Sequence, residues 1–157
     1  MPLVINEEQA AAKSRLTAYR LISMRLRLMA LWQEVTGGHA ESLIVMAVVA
    51  ITGDRLIHSQ MSPELRNMAN PVPRTLLGRC NISSIAAATG LNRETARRAI
   101  NRLIDRGVLE RAPDRSIHFV LGRTQGANAF HLSDTQLEEF ARTASALVRD
   151  GVLTFVE

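Results

Sequence analysis

The segment from Asn81 to Arg111 constrains the fold of this 157-residue chain more than any other part of the sequence. Its pattern predicts a short helix, a turn that starts at Gly90, and then a longer helix rich in arginine. Apolar residues recur where two crossed helices must bury side chains: Ile85, Ala86, Leu91, Ala96, Ile100, Leu103 and Ile104. Polar residues occupy the opposite face of the second helix: Arg93, Glu94, Arg97, Arg98, Asn101 and Arg102. This arrangement predicts a helix-turn-helix, with apolar side chains behind the second helix and hydrogen-bond donors in front of it.

Where the two helices approach each other closely or the chain turns, the sequence also has the residue types that this geometry requires. Ala86 is small enough for the place where the helices cross, and Gly90 tolerates the left-handed backbone of the turn. Leu91 is placed to bury the turn in the core. Ala96 and Ala99 allow the second helix to pack closely against the rest of the domain.

The segments next to this pair have their own local signals. Asn81 and Asn92 are placed to cap helices over residues 82–89 and 93–106, the second of which should end at Gly107. Residues 108–111 and 116–121 read as two short strands. The turn between them, residues 112–115, has Pro113 at a favoured position. A helix-turn-helix followed by a hairpin predicts a winged helix.

Most of the remainder of the chain is predicted to be helical, apart from an extended loop over residues 70–73. Residues 7–35 contain no Gly or Pro and are apolar on two sides, which suggests two partners, one of them a second chain. Residues 41–58 read as a helix that is buried nearly all round. A short helix capped by Ser62 should run to about residue 69.

The last predicted helix spans residues 134–149, with Ser133 and Gln136 as a capping box. One apolar stripe is expected along it: Leu137, Phe140, Ala141, Ala144, Leu147 and Val148. The expected fold is therefore mainly α with a small β-hairpin wing, a winged helix-turn-helix flanked by N- and C-terminal dimerisation helices. Four segments are predicted. Residues 1–60 form the N-terminal helices for dimerisation and core, and residues 61–79 form a connector with a short helix. Residues 80–123 form the winged helix-turn-helix, and residues 124–157 contain the C-terminal helix.

Composition narrows the class of protein. The net charge of +4 favours a polyanionic partner, although only weakly. The most apolar run, residues 43–51, is far shorter than the about 20 residues a membrane span needs, and no signal-peptide pattern begins the chain. Cys80 is the single cysteine, so a cytoplasmic protein without disulfides is expected.

Neither a cofactor nor catalysis is expected. The four histidines lack metal-ligand spacing, and no phosphate-binding glycine loop, nucleophile elbow or carboxylate pair is present. For Cys80 we expect a small buried residue. The alternative is a redox-sensing thiol whose pKa is lowered by Arg79.

The predicted winged helix-turn-helix segment resembles parts of known protein families. The run Gly90-Leu91-Asn92-Arg93-Glu94-Thr95, with Arg98 after it, resembles the recognition helix of the cyclic-AMP receptor family of bacterial regulators. The pattern of Arg93, Thr95, Arg97, Arg98, Ala99, Leu103 and residues 107–109 is similar to the reading heads of the gluconate-repressor superfamily. The resemblance covers residues 81–121, about a quarter of the chain. The layout, with long helices on both sides of the reader, is similar to that of the multiple-antibiotic-resistance regulators.

The resemblance implies a set of DNA-binding residues. Arg93 would read a base edge, because its fork fits guanine O6 and N7, and Glu94 could accept from cytosine N4. Thr95 and the helix N-terminus would hold phosphates, and Arg115 at the wing tip would reach the backbone or the minor groove. The full predicted set is Asn92, Arg93, Glu94, Thr95, Arg97, Arg98, Asn101, Arg102 and Arg115.

The sequence therefore predicts a homodimeric, cytoplasmic bacterial transcription regulator that binds double-stranded DNA. No cyclic-nucleotide barrel precedes the reader, so cyclic AMP is not implied, and no residue indicates another effector. Two alternatives stay open: a winged-helix DNA-binding protein of replication or partition, and a protein-interaction adaptor built on the same fold.

Overall fold

The computed structural model describes residues 1–156 and is mainly helical, with six α-helices and two small antiparallel sheets over that range. In chain order the elements are β1 (Leu3–Ile5), α1 (Glu7–Ala12), α2 (Ser14–Thr36), α3 (His39–Ile57), α4 (Ile82–Thr89), α5 (Arg93–Asp105), β2 (Leu109–Arg111), β3 (Ile117–Phe119), α6 (Ala127–Arg149) and β4 (Leu153–Phe155). In the described chain, no helix combines the length and the apolar character that crossing a membrane requires.

Contacts group the chain into two compact units. Unit 1 joins residues 1–31 to residues 131–157, and unit 2 is continuous over residues 32–130. The four predicted segments are therefore grouped differently: α3 lies in the same unit as α4 and α5, and the two ends of the chain share the other unit.

Unit 2 contains the main hydrophobic core. Helices α3, α4 and α5 pack against one another, and β3 packs against α3. The fully buried side chains come from all of these elements: Ile44, Val48, Cys80, Ile85, Ala96, Ala99, Ile100, Leu103 and Ile117. Helix α3 is not buried nearly all round as predicted. Residues 41–48 have no exposed side chain, as expected, but Val49 and Ile57 in the second half of the helix are exposed.

The local signals around α4 and α5 are confirmed. Asn81 forms a capping box with Ser84, and Gly90 ends α4 with φ +70°. The Asn92 side chain accepts a hydrogen bond from the Thr95 backbone N–H at 2.8 Å. Gly107 follows α5 with φ +64°, as a helix C-terminus requires.

A β-hairpin follows α5. Leu109 pairs with Phe119, and Arg111 pairs with Ile117, in an antiparallel register. The turn falls at residues 112–115 as predicted, and the Ala112 N–H donates to the Ser116 carbonyl at 2.9 Å. Each strand has three residues, so the predicted strands were too long.

The connector before Cys80 is less helical than its sequence suggests. Residues Pro63–Arg66 form only a 3-10 turn, and Ser62 makes no side-chain capping bond. The predicted helix to residue 69 is wrong: residues 67–70 form a bend and a turn, in which the Asn70 side-chain amide donates to the Glu64 carbonyl. Pro71 also disfavours helical backbone at the residue before it.

Two helix boundaries in the terminal helices differ from prediction. The helix over residues 7–35 is interrupted at Lys13, whose ammonium donates to the Asp150 carbonyl. Helix α6 starts at Ala127, so Ser133 lies inside it and the predicted capping box is wrong. The Gln136 amide donates to the Leu132 carbonyl, one turn back along the helix.

Unit 1 also contains a sheet that the sequence did not predict. Strand β1 pairs with β4 antiparallel, with Val4 opposite Thr154. The Asn6 N–H donates to the Val152 carbonyl at 2.9 Å and extends the pairing. The two ends of the chain are thereby held together.

Candidate nucleic-acid interface

Helix α5 has a fully buried back and an exposed front. Ala96, Ala99, Ile100 and Leu103 form the back, and none of them has measurable exposure. The first two turns present exposed side chains on the other sides: Arg93, Glu94, Thr95, Arg97 and Arg98. Because the back is packed so tightly, the front side chains are held on a rigid support.

Asn92 acts as the cap of α5. Its side-chain oxygen accepts a hydrogen bond from the Thr95 N–H, and its carbonyl accepts one from the Ala96 N–H at 3.0 Å. The N–H groups of Arg93 and Glu94 have no partner in the helix, as is usual for a first turn. They therefore remain available to an anion placed at this end.

Glu94 holds two arginines of the front face. Its carboxylate accepts from Arg97 Nε at 2.8 Å and Nη2 at 2.7 Å, and from Arg98 Nε at 2.8 Å. These hydrogen bonds, that of Arg97 foremost, lower the pKa of Glu94 to about 2. The carboxylate therefore stays charged at any physiological pH and orients both guanidinium groups.

Arg93 differs from its neighbours, because its guanidinium forms no ion pair or hydrogen bond with any residue of the described chain. It is exposed at the first position of the helix, where the positive end of the helix dipole adds to its charge. Of the α5 arginines at the N-terminal end, Arg93 is the one with a free guanidinium.

The second half of α5 turns toward α3. Arg102 donates from Nε to Glu41 at 2.5 Å, and Arg106 donates to the Thr36 carbonyl. Burial alone would raise the pKa of Glu41, but the hydrogen bond from Arg102 and the nearby Arg106 charge outweigh it and lower this pKa. Asn101 is half-buried. Arg102 and Asn101 are thus not grouped with the free donors of the first turn.

The hairpin adds further basic side chains. Arg115 lies in the turn with φ +66°, exposed, and Arg111 is exposed at the end of β2. Neither has an ion-pair partner within residues 1–156. Sequence reasoning missed Arg111; its place at the strand end, next to the turn, was the available signal.

The hairpin turn is braced by Asp114. Its carboxylate accepts from Arg79 Nη2 at 2.7 Å, from the Ser116 N–H at 3.0 Å and from the Ser116 hydroxyl at 2.5 Å. Hydrogen bonds from Ser116, and then from Arg79, hold the pKa of Asp114 well below its usual range. Arg79, whose only role expected from the sequence is as a neighbour of Cys80, is a partner of the turn.

The redox alternative for Cys80 is wrong. The thiol is fully buried in the core of unit 2, and burial raises its pKa above the ordinary value. Arg79 is directed to Asp114, so it does not activate the sulfur. The expected role as a small buried residue is confirmed.

Unit 1 has a second surface of a different kind. Five large apolar side chains of α2 and α6, which we call the outer stripe, are 60–71% exposed: Tyr19, Ile22, Leu26, Leu137 and Phe140. Most residues of the apolar stripe predicted on α6 therefore do not belong to the buried face of this helix. That face carries Leu132, Glu139, Thr143, Ala146 and Leu147. Glu139 on the buried face accepts from Arg27 at 2.7 Å and from Arg142 at 2.6 Å.

No group of three or more His, Cys, Asp or Glu side chains in residues 1–156 is arranged to hold a metal ion. Comparison of the chain with models of protein families, with curated proteins and with solved structures gave no match.

Proposed function

We propose that the protein is a homodimeric transcription regulator that binds double-stranded DNA by sequence, with residues 81–121 acting as a winged helix-turn-helix. The observation that carries the proposal is the front of α5. It offers a free Arg93 and two braced arginines on a helix whose back is completely buried. A rigid helix with forked donors on its exposed side is what reading the major groove requires.

The first two turns of α5 would enter the major groove. Arg93 would donate to O6 and N7 of a guanine, since its guanidinium has no partner to give up. The free N–H groups at the helix start, with the Thr95 hydroxyl, would bind a phosphate oxygen and fix the register. Glu94 would present Arg97 and Arg98 in one orientation. To accept a hydrogen bond from a cytosine, Glu94 would have to release one of these two arginines.

The hairpin would make the flanking contacts. Arg111 and Arg115 have no internal ion pair, so neither loses one by meeting a phosphate or entering the minor groove. Arg79 is already neutralised by Asp114, which leaves it a supporting role. Arg102, paired with Glu41, would hold α5 on α3 rather than contact DNA.

Dimerisation would use the outer stripe. Exposed aromatic and aliphatic side chains on two neighbouring helices favour a partner that buries them. A second copy of the chain, related by a two-fold axis, would bury both stripes in one self-complementary contact. Such a dimer predicts a near-palindromic site with half-sites about 34 Å apart.

The test is selection of binding sites from a random double-stranded library, followed by affinity measurements with two matched variants. We expect Arg93→Ala to weaken the selected site by about 1–3 kcal/mol and to relax its sequence preference. Arg55→Ala serves as the control, because Arg55 is exposed on α3, outside α5 and the hairpin.

Other outcomes would redirect the proposal. Equal losses on selected and scrambled duplexes would show that Arg93 contacts only phosphate. Mapping the bound sites in cells to repeated origin sequences instead of promoters would favour replication or partition. A dimer without affinity for any duplex would favour an adaptor.

A further inference from the structure

Unit 2 contains a cavity of about 330 Å³ to which α5 contributes no residue. Its walls come from the second half of α3, from the connector over residues 61–77, and from β3 with the segment that follows it. Half of the residues that line the cavity are apolar, among them Val49, Met61, Met68 and Phe119. The volume is at the lower end of the range of about 300–1,000 Å³ that is typical of small-molecule sites, so the apolar wall can hold the body of a small ligand.

The fully charged side chains of this lining are all basic. Among the described residues that line the cavity, two are arginines, Arg66 and Arg74, and none is acidic. Arg74 is neutralised by an ion pair with Glu110. Arg66 has no ion-pair partner within residues 1–156, so its positive charge at the cavity is uncompensated.

One hydrogen bond holds Arg66 beside the cavity. Its Nε donates to the carbonyl of Met61, another lining residue, at 3.2 Å. The two terminal nitrogens make no hydrogen bond within the described chain, and together they form the flat fork that fits both oxygens of a carboxylate. The Thr124 hydroxyl, also in the lining, accepts from the Gln125 amide at 2.7 Å and donates its own hydrogen to no residue in 1–156. The polar part of the lining therefore offers unused donors, which favours a ligand that accepts hydrogen bonds.

We propose that this cavity binds an amphipathic carboxylate, a small molecule whose apolar body lies against the apolar wall and whose carboxylate pairs with Arg66. The two methionines of the lining suit such a ligand, because their flexible side chains adapt to apolar shapes. The inference does not rest on DNA binding, and either proposal can fail without the other.

The first test uses two pairs of probe compounds: hexanoate with hexanamide, and cyclohexanecarboxylate with cyclohexanecarboxamide. The members of a pair share one apolar body, and only the carboxylate is charged near neutral pH. Calorimetric titration of the full chain should show each carboxylate binding about 3- to 10-fold more tightly than its amide. The factor is moderate because Arg66 is an exposed residue, whose ion pairs are weakened by water.

Three variants test the role of the charge. In Arg66→Gln the charge is lost, so the two members of each pair should bind equally. Arg66→Lys keeps the charge and should still prefer the carboxylates. Arg55→Gln is the matched control, because Arg55 is an exposed arginine of α3 that does not line the cavity, and this variant should keep the full preference.

The methyl resonances of the methionines test the place of binding. Met61 and Met68 line the cavity, whereas Met24 and Met29 belong to unit 1. Titration with hexanoate should shift the first two signals and leave the other two unchanged. Equal affinities within each pair, a preference that Arg66→Gln retains, unshifted Met61 and Met68 signals, or no binding of any of the four compounds at millimolar concentration would overturn the proposal.

Discussion

The guanidinium groups on α5 differ in whether they already have a hydrogen-bond partner within the chain. Arg93 has none, Arg97 and Arg98 share the carboxylate of Glu94, and Arg102 is bound to Glu41. A free donor can exchange water for a base edge at little cost. A paired donor must first give up a charge-assisted bond. Base recognition should therefore depend most on Arg93.

His118 provides a residue-scale prediction. We expect its pKa, followed by NMR of the ring protons, to lie below the ordinary 6.5, because burial and then the Arg74 charge disfavour the imidazolium. A depressed histidine pKa means that the folded state binds fewer protons. The free energy of unfolding should then decrease as the pH falls from about 6.5 through the folded pKa.

The matched variant is His118→Gln, which should remove this part of the pH dependence. A midpoint for His118 at or above 6.5 would contradict the expected environment.

At the scale of elements, two glycines of unit 2 should respond in opposite ways to alanine. Gly90 has φ +70° in the turn between α4 and α5, so Gly90→Ala should cost about 1–2 kcal/mol of unfolding free energy. Gly53 lies inside α3 with open space around its Cβ position, so Gly53→Ala should stabilise by about 0.5–1 kcal/mol. Urea unfolding measures both. A stabilising Gly90→Ala would show that the turn does not keep a left-handed residue.

Elements with local signals were predictable from the sequence. Asn81, Gly90 and Asn92 act through bonds or dihedrals within a few residues, and the boundaries of α4 and α5 followed from them. The face of α5 followed from its period, since Ala96 and Ile100 recur at helical spacing.

Elements that depend on distant contacts were not predictable. Strands β1 and β4 pair across nearly the whole chain, and three-residue strands leave no periodic pattern. Ser133 and Gln136 match a capping pattern that also occurs inside helices, and no breaker separates them from Ala127. The pairing of Arg102 with Glu41, 61 residues away, likewise has no local signal.

At the scale of the whole molecule, the distribution of buried and exposed apolar side chains is the feature most relevant to oligomerisation. The main core belongs to unit 2, whereas unit 1 buries few apolar side chains, among them Leu132, Ala146, Leu147 and Val152. Its outer stripe remains exposed in the single chain. A partner that covers the stripe would supply the burial that three helices and a two-stranded sheet lack.

Leu26→Glu in the outer stripe should therefore weaken the proposed dimer at least about 100-fold, because two leucines per dimer would lose their burial and two charges would replace them. Light scattering after size exclusion measures the mass. Ile57→Glu is the control: Ile57 is 75% exposed but lies in unit 2, so this variant should remain dimeric. A wild-type chain that stays monomeric at micromolar concentration would contradict dimerisation through the stripe.

The most direct single measurement is the affinity of the wild-type protein for its selected duplex and for a scrambled duplex over a range of salt concentrations. Recognition by α5 and the hairpin predicts binding to the selected site at least about 1,000-fold tighter than to the scrambled one. It also predicts a logarithmic affinity that falls steeply with the logarithm of salt, by about 0.9 for each phosphate contact. Equal and weak affinity for both duplexes, without salt dependence, would contradict DNA recognition by this protein.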